Sequence, residues 1–96
     1  MKIKTETGYD EWLKGLKDKK GKATILTRIA RVRAGNFGDC EPVGGGVSEL
    51  RIDFGPGYRV YFGKRGKDII VLLAGSSKKR QQKAIDHAIE LWKEIK

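Results

Sequence analysis

The stretch Val47-Ser48-Glu49-Leu50-Arg51-Ile52-Asp53-Phe54, then Gly55-Pro56-Gly57, then Tyr58-Arg59-Val60-Tyr61-Phe62-Gly63, decides how the chain is read. Leu50, Ile52 and Phe54 alternate with Glu49, Arg51 and Asp53; after the turn, Tyr58, Val60 and Phe62 alternate with Arg59, Tyr61 and Gly63. A period of two is that of a strand with one buried face, and Gly-Pro-Gly is a turn, so an antiparallel β-hairpin is predicted. For all six apolar residues to share a face, paired residue numbers must have even sums, for example Phe54 with Tyr58. A slip of one residue would expose half of them. That parity gathers Glu49, Arg51, Asp53, Arg59 and Tyr61 on the opposite face, read as open and polar.

Working outward, Arg65-Gly66-Lys67-Asp68 makes the next turn, and Ile69 to Ala74 is a continuous apolar run, the pattern of a central strand covered on both faces. After Gly75, Ser76 or Ser77 is placed to cap a last helix whose buried stripe is Ala84, Ile85, Ala88, Leu91, Trp92 and Ile95. His87 flanks that stripe and reads as a satisfied structural histidine, and Trp12 and Trp92 read as core. Upstream, Lys2 to Thr5 is a short edge strand. Tyr9, Trp12, Leu13 and Leu16 mark one helix, and Ile25, Leu26, Ile29, Ala30 and Val32 a second, with Gly21 between them and Gly35-Asn36 as the stop. Asn36 to Gly46 has no usable period and reads as a loop. The expectation is one α+β domain over residues 1–96: a short N-terminal strand, an αα-hairpin, an antiparallel sheet of about four strands and a C-terminal helix.

At 96 residues the chain is too short to divide its apolar side chains, 39% of the total, between two cores. One cysteine, Cys40, excludes an intrachain disulfide, and one cysteine with one histidine leaves too few soft ligands for structural zinc. There is no apolar run of membrane-span length, and Met1 to Gly8 has no signal-like apolar segment, so a cytoplasmic protein is expected. Gly44-Gly45-Gly46 lacks the Lys-Ser/Thr of a P-loop and precedes a strand, which removes the nucleotide-cradle reading.

Charge is the more informative quantity. The net charge is +9, and two blocks carry all of the excess: Lys14–Arg33 at +7 and Lys64–Lys83 at +6. Such a surface favours a polyanion through attraction and counterion release. Lys14, Lys17, Lys20, Arg28 and Arg31 from the first block, and Lys64, Arg65, Lys79, Arg80 and Lys83 from the second, are the candidate nucleic-acid-binding side chains. On the hairpin, Arg51 and Arg59 can grip a phosphate by forked hydrogen bonds while Tyr61 stacks or donates a proton. The competing reading pairs Asp53 with Arg59 and Glu49 with Arg51 as solvated salt bridges. Ser76-Ser77-Lys78-Lys79-Arg80 sets cations at a helix start, where they oppose the macrodipole unless an anion binds.

Gly35-Asn36-Phe37-Gly38-Asp39, Val47 to Ile52 and Gly55 to Phe62 together resemble the RelE/ParE superfamily of toxins, most of all its short HigB-like, phage-derived killer proteins of type II toxin-antitoxin modules. The resemblance runs from about Ile3 to Ala88. It implies a small α+β RNase that cuts mRNA, usually on the ribosome, without metal or other cofactor, by attack of the ribose 2′-hydroxyl on the adjacent phosphate. Arg59 matches the family's strand arginine and Arg51 the inner basic position of the preceding strand, while Lys78 falls near a basic position after the last strand. Glu49 stands where the family has an outer basic residue, and the tyrosine that some members carry early in the C-terminal region is replaced near Lys83, so Tyr61 and Lys78 are proposed as substitute proton-transfer groups and not as motif matches. The implied partners are an antitoxin, expected to be a helix-turn-helix protein, together with mRNA and the ribosome; no membrane is implied. Members of the ParE branch share the fold and instead poison DNA gyrase, and a nucleic-acid-binding domain without activity is the third reading.

Overall fold

The two alternating stretches form adjacent antiparallel strands in the computed structural model, which describes residues Met1–Lys96. In chain order the elements are β1 (Lys2–Thr5), α1 (Thr7–Gly15), α2 (Lys19–Arg33), β2 (Cys40–Gly44), β3 (Val47–Ile52), β4 (Tyr58–Arg65), β5 (Ile69–Ser77), one 3-10 turn (Lys78–Arg80) and α3 (Gln81–Ile95). One five-stranded sheet has the order β1-β5-β4-β3-β2, with β1 parallel to β5 and every other pair antiparallel. Ile52 lies opposite Tyr58 and Leu50 opposite Val60, so the even-sum parity holds. Phe54 instead lies in the turn, where its carbonyl accepts from Gly57 N–H at 3.0 Å.

The parity separates two cores. Leu50, Ile52, Val60 and Phe62 face α1 and α2, packing with Ile25, Ile29 and Val32; Val47, Tyr61 and Leu73 face α3, packing with Ile85, Ala88 and Trp92. β5 supplies both sides, Ile70 and Leu72 to the first and Val71 and Leu73 to the second, as its continuous apolar run requires. Between the pairs Phe62–Leu72 and Tyr61–Ala74, β5 carries Leu73 as an extra residue, a β-bulge that keeps the tail of the strand in register with Arg59 and Tyr58. Two glycines let the tryptophans lie flat on the sheet: a Cβ on Gly63 would overlap the Trp92 indole, and one on Gly75 the Trp12 indole.

Three expectations are corrected. Residues Cys40–Gly44, read as part of a loop, form an edge strand; Pro42 and a bulge between Pro42 and Gly44 break the alternation that would have marked it. Neither Ser76 nor Ser77 caps α3. Both pair with β4, and a 3-10 turn intervenes before the helix starts at Gln81. Gly21 does not separate the helices but lies buried in the first turn of α2, which Asp18 caps by accepting from Gly21 N–H at 2.9 Å. The other Asp18 oxygen accepts from the Tyr58 hydroxyl at 2.7 Å, tying the helix start to β4. These bonds, the backbone one first, hold the Asp18 carboxyl below its usual range; burial, then the Asp18 contact, pushes the Tyr58 phenol up. No helix is long and apolar enough to cross a membrane.

Candidate functional site

The face of the hairpin expected to be open is roofed by α3. Glu49 and Tyr61 are fully buried, and the Arg59 side chain is 12% exposed. The reason lies in β5: a strand apolar on both faces needs a layer on each, and the stripe of α3 is the available cover. Val47 and Gly63, on the same face as Glu49 and Tyr61, give that stripe an apolar bed. Asp53 falls beyond the end of β3 and is exposed, so it joins no pair.

Arg51 and Arg59 are register partners on neighbouring strands, and two guanidinium groups placed together need a counter-charge. Glu49 supplies it. Its Oε1 accepts from Arg51 Nε at 3.1 Å and lies 4.0 Å from Arg59 Nε, while its Oε2 accepts from Gln81 Nε2 at 2.8 Å. Arg51 also pairs with Glu41 and lies 3.7 Å from Asp39 Oδ1, so three carboxylates surround it. Arg59 differs: its Nε is the one buried side-chain polar atom with no hydrogen-bond partner. The Tyr61 hydroxyl meets Ser76 Oγ at 3.0 Å. Burial is the main cause that pushes the Tyr61 phenol above its ordinary range; Glu49 adds to the rise, and the Ser76 bond and Arg59 oppose it.

The remaining cations are dispersed. Lys14, Lys17, Lys20 and Arg31 are exposed along the helical hairpin. Arg28 is instead a clamp, donating to the carbonyls of Arg51, Phe37 and Asp39, the last two at 2.9 and 3.2 Å. Lys64 lies 4.6 Å from the Phe37 ring centroid; Arg65 lies 5.6 Å from that of Trp92 and donates to the Ile95 carbonyl. Lys78, Lys79 and Arg80 project from the exposed 3-10 turn, whose first N–H donates to the Gly57 carbonyl at 2.7 Å. Lys83 follows on the exposed side of α3.

Beside this roofed cluster lies a cleft of ≈540 Å³ between α1, the end of β5 and α3. Trp12, Leu16 and Tyr58 line one side of it, and Arg80 from the 3-10 turn with Lys83 and His87 from α3 the other. His87 is therefore exposed, not a core histidine. Its signal was present as spacing: residues 83 and 87 stand one turn apart beside Ala84 at the edge of the buried stripe, and residue 80 precedes them by three positions. Trp12, expected in the core, packs its ring over Gly75 and edge-on to Tyr58 at 6.1 Å while still bordering the cleft.

Comparison with known proteins bears on what such an arrangement serves. Residues 11–96 match the phage-derived Gp49-like protein family (DUF891). An uncharacterized protein of Haemophilus influenzae is 44% identical over 95 residues, covering 99% of this chain and 96% of the relative. A family match over most of the chain, with a relative similar from end to end, means that the chain belongs to the phage-derived Gp49-like family, which is in general a RelE/HigB-like toxin family.

Proposed function

We propose that the protein is the toxin of a type II toxin-antitoxin pair, inhibiting translation as a metal-independent endoribonuclease that cuts mRNA. The observation that carries this reading is the Arg59 Nε–H, buried and without an acceptor on the residue that the family resemblance singles out. A buried donor left unpaired is costly, and a charged one more so; the nearest anion, Glu49 Oε1 at 4.0 Å, lies beyond hydrogen-bond reach, which leaves the guanidinium able to take an acceptor from outside the chain. A phosphate oxygen meets that need in charge and in forked geometry. In the reaction, the ribose 2′-oxygen bonds to phosphorus as the bond to the 5′-oxygen breaks. Solvent water takes the 2′-hydroxyl proton, the 5′-oxygen gains one from a donor at the site, and a 2′,3′-cyclic phosphate and a 5′-hydroxyl result. Arg59 stabilises the negative charge that develops on the phosphorane, and Lys78, exposed on the 3-10 turn, adds a cation that can donate to the leaving oxygen.

Arg51 and Tyr61 take positioning parts. Arg51, enclosed by Asp39, Glu41 and Glu49, orients the Glu49 carboxylate that faces Arg59. Tyr61 anchors Ser76 beneath α3. The exposed lysines of the helical hairpin and the 3-10 turn hold the RNA backbone, and an antitoxin, expected to be a helix-turn-helix protein, covers the same basic surface. The test is single-turnover cleavage of RNA. Arg59→Ala is expected to slow it by a factor on the order of 10² to 10³, the scale for one transition-state donor, with a much smaller change in RNA affinity. Arg59→Lys restores the charge without the fork and should recover part of the rate. A folded Arg59→Ala protein that cuts at the parental rate overturns the assignment.

A further inference from the structure

We infer that the cleft between α1 and α3 is a nucleotide pocket that seats one base and one phosphate of single-stranded RNA, and this inference rests on the RNA-cleaving reading above. Three features select that occupant. The first is polarity: Arg80 from the 3-10 turn and Lys83 and His87 from α3 place two cations and an imidazole on one wall, and none of them takes part in the ion pairs of the fold. The acidic residues of α1 are absent from the lining, so the wall has no internal counter-ion. The second is the floor, where Trp12 and Tyr58 stand edge to face and offer aromatic surface against which a base can pack. The third is the strand edge. β1 pairs with β5 only as far as Leu72, and β5 continues to Ser77 with β4 on one side and no strand on the other. Backbone groups from Ala74 to Ser77 that point away from β4 are thereby free to hydrogen-bond the edge of a base or a ribose.

The size agrees. At ≈540 Å³ the cleft falls within the roughly 300–1,000 Å³ of small-molecule sites, room for one nucleotide and not for a duplex. Ser76 links the pocket to the roofed cluster, since it lines the cleft and its hydroxyl meets that of Tyr61. A nucleotide seated here lies one strand away from Arg59, the register partner of Ser76.

The experiment uses the intact protein and adenosine 3′-monophosphate as probe, with adenosine and inorganic phosphate as separate arms. The chain has one histidine and two tryptophans, so the imidazole signal of His87 and the indole N–H signals of Trp12 and Trp92 can be followed by NMR without ambiguity. The nucleotide is expected to shift His87 and Trp12 saturably and to leave Trp92, buried between α3 and the sheet, in place. Adenosine and phosphate alone should each bind at least about tenfold more weakly, and Lys83→Glu should weaken nucleotide binding by at least about tenfold with an unchanged melting curve. Trp12 and His87 signals that stay fixed, or phosphate alone binding as tightly as the nucleotide, overturn the pocket, and so does unaltered binding by Lys83→Glu. Binding is read without cleavage. Nucleotide capture by a protein that cuts no RNA would thus sink the enzymatic reading and keep the pocket, whereas RNA cutting with no capture would do the reverse.

Discussion

Glu49→Gln removes one negative charge from a fully buried site while keeping the shape of the side chain. In the parent protein that carboxylate accepts from Arg51 and Gln81 and is the only anion paired with Arg59. Breaking a buried pair by removing one partner costs about 3–5 kcal/mol. The lower end applies here, about 3 kcal/mol, because Arg51 is one-third exposed and keeps Glu41 and Asp39. For a domain of this length each kcal/mol lowers the melting temperature by roughly 4–8 °C, so a fall of about 12–24 °C is expected. Adding Arg59→Met to Glu49→Gln removes the stranded cation and should return at least about 1 kcal/mol of the loss. The exposed Glu90–Lys93 pair is the comparator: Glu90→Gln should cost about 0–1 kcal/mol. The assay is urea and thermal unfolding of the four proteins side by side. If Glu49→Gln unfolds within about 1 kcal/mol of the parent, or the added Arg59→Met deepens the loss, Glu49 is not the buried counter-charge of this cluster.

Three further outcomes are expected. Arg28→Ala should destabilise the fold by about 1–3 kcal/mol because it strands the Arg51 and Phe37 carbonyls at the junction of α2, the Phe37–Asp39 segment and β3, the Asp39 carbonyl keeping the Arg51 N–H, while Lys20→Ala, an exposed cation of the same helix, should change melting little. Gly63→Ala should cost about 1–3 kcal/mol by forcing its Cβ into the Trp92 indole, and a change in Trp92 fluorescence should accompany it. Burial, with a smaller contribution from Asp10, pushes the Tyr9 phenol from 10.0 up to about 12; the folded state therefore holds that proton more tightly than the unfolded chain. The resulting stabilisation is complete below pH 10 and is lost as pH rises through 12, about 3 kcal/mol in all, and Tyr9→Phe should reduce the loss measured by urea unfolding across that range, the raised Tyr58 and Tyr61 phenols accounting for what remains.

The hairpin was legible because Leu50, Ile52, Val60 and Phe62 obey a strict period of two, and the covered character of β5 because Ile70 to Leu73 are apolar without interruption. The same run of β5 residues already implied a second helical layer, yet the polar side chains of β3 and β4 suggested an open face. Two charges that neutralise each other across strands can be buried together, and alternation alone does not distinguish a solvated Glu49–Arg51–Arg59 row from a roofed one. β2 was hidden because Pro42 and a bulge interrupt an edge strand of five residues. The α3 cap was misplaced because Ser76 and Ser77, good cap residues by type, have stronger claims on them as partners of Arg59 and Tyr58. At the candidate site, Arg51, Arg59 and Tyr61 do come together, but the cleft could not be found from the hairpin, since its walls come from α1, β5 and α3.

The most direct test of the account is to induce the protein in growing bacterial cells and map the 5′ ends of cellular mRNA by primer extension, beside an Arg59→Ala control. The account predicts discrete new ends within translated regions, carrying 5′-hydroxyl groups, that disappear when translation is blocked and are absent from the control. Intact mRNA accompanied by gyrase-linked DNA breaks, or growth arrest with neither kind of break, would contradict it.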